Sequence, residues 1–148
     1  MTSAFVQNVD DLRALIGLFM GKSVFVKFVS DPAIDRMKAI VGLACAAKAV
    51  EDGHEVSVFF AAAGVRFLDA AFLEDLETEM GPESTMIHGF MDALLEGADL
   101  HCSFGSVKAV LGHAEGDGVL YVPDEQIVWS GPPGVIALAT ASDVQLMY

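Results

Sequence analysis

Basic residues are scarce in this chain. Eight Lys and Arg stand against twenty-one Asp and Glu, a formal net charge of -13. Beyond Arg66 the only Lys or Arg is Lys108, while thirteen Asp and Glu follow position 73. So anionic a surface repels phosphate backbones and anionic lipid headgroups, which argues against nucleic-acid and membrane-surface binding. Cysteine is scarce too. Cys45 and Cys102 are too few for a disulfide framework, and their spacing fits no zinc motif. A reducing compartment is the default for such a chain. No run of 18 apolar residues occurs, and no charged segment followed by an apolar one opens the sequence. We therefore expect a cytoplasmic protein with no membrane span. The histidines His54, His88, His101 and His113 form no HxH or HExxH pattern, so no metal site is expected. GxGxxG and GxSxG are absent. The stretch from Gly17 to Ser23 misses the P-loop spacing and lies between a helix and a strand in the reverse order. Neither a nucleotide cofactor nor the simplest hydrolase is supported.

Apolar residues, by contrast, are plentiful. They make up 53% of the 148 residues, with 20% charged. A chain of this length forms one domain and buries ~70% of its unfolded surface without staples. The apolar excess implies a large core, or a core plus an interface between copies of the chain. A homo-oligomer is expected.

Periodicity divides the chain into alternating elements. Asn8–Gly21 reads as an amphipathic helix capped by Asn8, an N-terminal extension over residues 1–21 of a single domain spanning 1–148. Val24–Val29 is a nearly continuous apolar run, as in a parallel strand buried on both faces. Asp31 and Pro32 suit the start of a helix that runs to about Asp52, with Gly53 as its stop. Its expected buried face is Ile34, Met37, Ile40, Val41, Ala44 and Ala47. A second strand covers Glu55–Phe60, and a loop with a short helix is expected over Val65–Glu79. A helix capped by Ser84 then ends near Gly97, and a third strand is Ala98–Ser103. A short helix to about Gly112 and an exposed acidic loop over Glu115–Glu125 follow, in which Val119–Val122 is a candidate strand. Gln126–Trp129 forms a fourth strand, Pro132-Pro133 opens a last helix to about Ala141, and Val144–Met147 is a fifth strand. Strands alternating with helices imply an α/β fold: a three-layer sandwich around a mostly parallel sheet of about five strands.

Ligands bind such sheets beyond the carboxyl ends of the strands. Three segments should lie there: Ser30-Asp31, Ala61–Arg66 and Cys102–Ser106. Cys102 precedes a helix start, where backbone N–H groups around Ser103–Ser106 would favour a thiolate. The alternative is a cysteine that simply fills the core. His101 points to the opposite face and is a poor base for it. Cys45, mid-helix among alanines, reads as inert packing. Gly64, Arg66, Ser103 and Ser106 are candidate ligand-binding residues, with Arg66 able to hold an anionic group. A salt bridge is the competing reading for Arg66.

The order of elements, the segment Glu55-Val56-Ser57-Val58-Phe59-Phe60 with Gly64-Val65 after it, and Leu94-Leu95-Glu96-Gly97-Ala98-Asp99-Leu100-His101-Cys102 together resemble the DsrE/DsrF/TusD sulfur-relay family over about residues 22–148. The resemblance implies a flavodoxin-like fold and homo- or hetero-oligomers. It also implies a persulfide carrier, a sulfurtransferase-type role in which Cys102 receives sulfur from a donor protein and passes it to an acceptor. Two departures stand beside it: the added N-terminal helix, and a Cys102 neighbourhood only loosely like the family's. The residues leave two other readings open. One is a small-molecule binding or regulatory module of the same fold without covalent chemistry. The other is an oligomeric interaction subunit. Burial of Cys102 counts against the carrier.

Overall fold

The structure, a computed structural model, describes residues 8–12 and 21–148. Most of the expected N-terminal helix lies outside the described residues. Its first turn is helical, and Asn8 Oδ1 accepts the Asp11 N–H at 2.8 Å, as a cap should.

Five strands form one parallel sheet: β1 (Ser23–Phe28), β2 (Glu55–Phe60), β3 (Ala98–Ser103), β4 (Ile127–Ser130) and β5 (Val144–Met147). Their order across the sheet is β4-β3-β2-β1-β5. The helices are α1 (Arg36–Glu51), α2 (Ala70–Glu79), α3 (Met86–Gly97), α4 (Phe104–Ser106) and α5 (Pro132–Ala141). Among them no helix is long and apolar enough to cross a membrane.

Topology explains the layers. From β1 to β4 each connection steps one strand in the same direction, so right-handed crossovers put their helices on one face. The last connection returns from β4 across the sheet to β5. The same handedness then sends α5 to the opposite face. The result is a three-layer α/β arrangement.

The core lies under α1 to α3. Val24, Val26 and Phe28 of β1, Val56, Val58 and Phe60 of β2, and Leu100 and Cys102 of β3 point into it. Phe28 stacks on Phe60 at 5.5 Å and meets Phe67 edge-on at 5.3 Å. The other face carries Phe25, Lys27, Phe59, His101 and Ser103, following the alternation of strand side chains. Only α5 covers it among the described residues, and no residue of α5 is buried although the helix is almost wholly apolar.

Several local expectations are corrected. The helix after β1 starts at Arg36, with Asp35 as its cap. Asp31 instead closes the preceding turn, accepting the Ala33 N–H at 2.9 Å. The buried side of α1 is Ala39, Ile40, Gly42, Leu43, Ala46 and Ala47, while Ile34, Met37 and Val41 are exposed. Small residues win that face because α1 rides close to the sheet. A Cβ on Gly42 would come within 2.6 Å of both the Phe28 and Tyr148 rings. Gly53 does end α1, at φ +85°. The stretch expected as a loop with a short helix is a 3-10 segment, Ala62–Leu68, followed directly by the ten-residue α2. Val119–Val122 is irregular, with the Tyr121 N–H donated to Leu68 O at 2.8 Å.

The start of α3 departs furthest from local reasoning. Ser84 donates to Glu77 Oε2 at 2.8 Å and accepts only a long bond from the Met86 N–H. The cap is Glu77 itself, reaching over from α2. Its carboxylate accepts the Ile87 N–H at 3.1 Å and the His88 N–H at 3.0 Å.

Candidate functional site

Cys102 stands at the carboxyl end of β3, beside Phe60 of β2 and Trp129 of β4. Its parity turns it into the core, where none of its surface is exposed. Burial pushes its thiol up to about 12, and the carboxylates of Glu115 and Asp124 add to the shift. The Ser106 N–H, one of the amides expected to hold a thiolate, is donated to Ser103 Oγ at 3.1 Å. The exposed, low-pKa sulfur that a carrier needs is absent from this conformation. His101 faces the other way and lies on the Phe59 ring at 6.1 Å, nearly parallel to it. Burial lowers its pKa, with Asp99 opposing.

Cys45 is the more accessible thiol, half-buried on α1. The neighbouring Cys45 thiol, with burial, pushes the Tyr148 hydroxyl up to about 12.

The other candidate residues share the same sheet edge but serve the scaffold. Gly64 lets the chain cross the end of β1, since a Cβ there would run into the Phe28 carbonyl. Arg66 Nε lies 3.1 Å from Asp31 Oδ1. It is enclosed, and the angle is too poor for a hydrogen bond, so the contact is an ion pair. Ser106 Oγ accepts the Ala62 N–H at 2.9 Å. Ala62 sits at φ +49°, a left-handed conformation that costs an alanine energy and that this bond helps hold. Ser103 and Ser106 thus tie the end of β3 to the end of β2.

On the α5 face of this edge lies a cavity of about 320 Å³. Phe59, Ala61, Pro132, Val135 and Ile136 form its apolar wall, and Lys27 and Ser103 supply its polar side chains. Of the expected ligand residues only Ser103 lines it. Lys27 had a visible signal: it is the single charge in an otherwise apolar strand. Gly134 allows α5 to close over the strands, since a Cβ there would collide with Ser130 and approach Phe59 at 3.7 Å.

A larger groove of about 800 Å³ runs between α1 and α3. Its lining mixes alanine and glycine with Val50, Met86 and Phe90, and its one cation, Lys48, is already paired with Glu51 and Asp52. The smaller cavity is the better site because it sits where parallel sheets bind ligands and brings Lys27 and Ser103 together on an apolar wall. Among the described residues no group of three or more His, Cys, Asp or Glu could hold a metal ion.

No family model matches this sequence. No curated protein matches it either. Among solved structures it is similar to the crystal structure of the YchN protein from E. coli, with a TM-score of 0.56 over 87% of this chain and 100% of that one. The identity is 13%, so the likeness is one of fold alone, a flavodoxin-like three-layer α/β arrangement.

Proposed function

We propose that this α/β protein is a small-molecule binding or regulatory module that works without covalent chemistry. The observation that carries this reading is a cavity at the carboxyl edge of the sheet on the α5 face, while Cys102, on the opposite face, is wholly buried with its thiol at about 12. Such cavities, mostly apolar with a few convergent polar groups, are where α/β sheets take ligands. The exposed apolar side chains Ile136 and Met147 on the same face support assembly with further copies of the chain. Two free cysteines fit a reducing compartment such as the cytoplasm.

A second reading is the persulfide carrier, favoured by the position of Cys102 at the end of β3 in a fold of the sulfur-relay type. Its thiolate would attack the outer sulfur of a donor persulfide, forming the new S–S bond and releasing the donor thiolate. Cys102 would first have to become exposed, since none of its surface is accessible.

Protein-observed NMR with a panel of small neutral fragments separates the two. Shifts confined to Phe59, Ala61 and Ser103 are the expected result. No response to any fragment, together with a gain of one sulfur at Cys102 on incubation with a persulfide donor, overturns the binding module and puts the carrier in front.

A further inference from the structure

The chemistry of the cavity wall restricts what it can hold, given the binding-module reading. Lys27 is half-buried in an apolar strand, and its register partners on this face are Phe59 and Met147. No carboxylate is among them. The cations in ion pairs among the described residues are Arg36, Lys48, Arg66 and His88, and Lys27 is not one of them. An ammonium beside an apolar wall with no counter-charge in reach is one that an anionic ligand can pair. Ser103 Oγ already accepts the Ser106 N–H, which leaves its O–H hydrogen free to donate.

A phosphate suits this cavity poorly. Phosphates are commonly held by free N–H groups at a helix start. Here α5 begins with Pro132 and Pro133, which have none, and the next two N–H groups, of Gly134 and Val135, are both donated to Gly131 O. One ammonium balances one charge, and a chain with a net charge of -13 disfavours more. The rest of the wall is aliphatic and aromatic. At ~30 Å³ per water-sized group, the volume of about 320 Å³ admits roughly ten heavy atoms.

We propose that the cavity binds a small monocarboxylic acid with an apolar body, its carboxylate on Lys27 and its hydrocarbon part against Ala61, Val135 and Ile136. Benzoate and 4-methylpentanoate are fitting probes, each compared with its uncharged amide and with inorganic phosphate. Binding is followed by the amide shifts of Phe59 and Ser103, on the wild type and on Lys27→Met and Lys27→Arg. The acids should bind at least tenfold more tightly than their amides. Lys27→Met, which keeps the length and apolar stem, should erase that preference, and Lys27→Arg should restore it. Equal binding of acid and amide, or phosphate binding as well as benzoate, overturns the ligand class while leaving a binding module in place. No response to acids, amides or neutral fragments overturns both.

Discussion

Glu77 accepts the backbone N–H of His88 at 3.0 Å and thereby caps α3 from α2. The carboxylate is almost completely buried. Burial alone would raise its pKa, but the N–H groups of His88 and Ile87 and the Ser84 hydroxyl outweigh it and hold it below the ordinary 4.5. A carboxyl lowered in the folded state contributes stability that is present above its unfolded value and lost as pH falls through its folded value. Glu77→Ala should cost about 3 kcal/mol at pH 7, because two N–H groups at the start of α3 lose a charged acceptor. Glu77→Gln should cost less, and its gap to the wild type should close as urea titrations move from pH 7 to pH 3. A gap that stays constant with pH would show that the charge is irrelevant.

The two cysteines should differ sharply in reactivity. With a thiol reagent followed by mass spectrometry at pH 8, Cys45 should react at least a hundredfold faster than Cys102, and the difference should vanish in urea. A Cys102 that labels quickly in the native protein, with a midpoint near ~8.5, would return the persulfide carrier to first place.

Gly64→Ala tests how the site edge is built. Its new Cβ meets backbone, the Phe28 carbonyl, which has no rotamer to change. The expected loss is about 1–3 kcal/mol, read from the urea midpoint. Gly89→Ala on the outer side of α3, where nothing lies within 4 Å, should be neutral or slightly stabilising.

The α5 face should mediate self-association. Sedimentation should give a species larger than the 15.7 kDa monomer. Ile136→Glu should shift it toward the monomer without unfolding it, since Ile136 is 62% exposed. A monomeric wild type would refute this.

Much of the fold was legible in the sequence because short stretches of strand-forming residues and longer stretches of helical period are set apart by turn residues. β2 and β3 fall on their expected residues, and α5 starts at the expected proline. What escaped were choices that depend on distant partners. The cap of α3 lies ten residues before the N–H it accepts, in another helix. The face of α1 could not be read from hydrophobicity, because close approach to Phe28 and Tyr148 selects glycine and alanine over Ile34 and Met37. Position was not decisive at Cys102. Its strand end left both exposure and burial open, and parity decides for burial. Leu100 shares its face, while the polar Asp99 and His101 alternate with it, so the cysteine had to point inward. Lys27 was passed over because a single charge in an apolar strand reads as noise until the opposite face is seen to be half-covered.

The return of the chain to β5 affects its birth on the ribosome. The pairing that brings Asp143 against Ser23 spans 120 residues. At ~5–20 residues per second, synthesis takes roughly 6–24 s to cover that interval. Throughout it, the edge of β1 from Val24 to Lys27 has no β5 to bond, though β2 can already occupy its other side. Exposed edges of this kind recruit strands from neighbouring chains. The nascent protein should therefore depend most on chaperones just before its final strand emerges, and a shortened C-terminus should surface as aggregation rather than as a milder loss of stability.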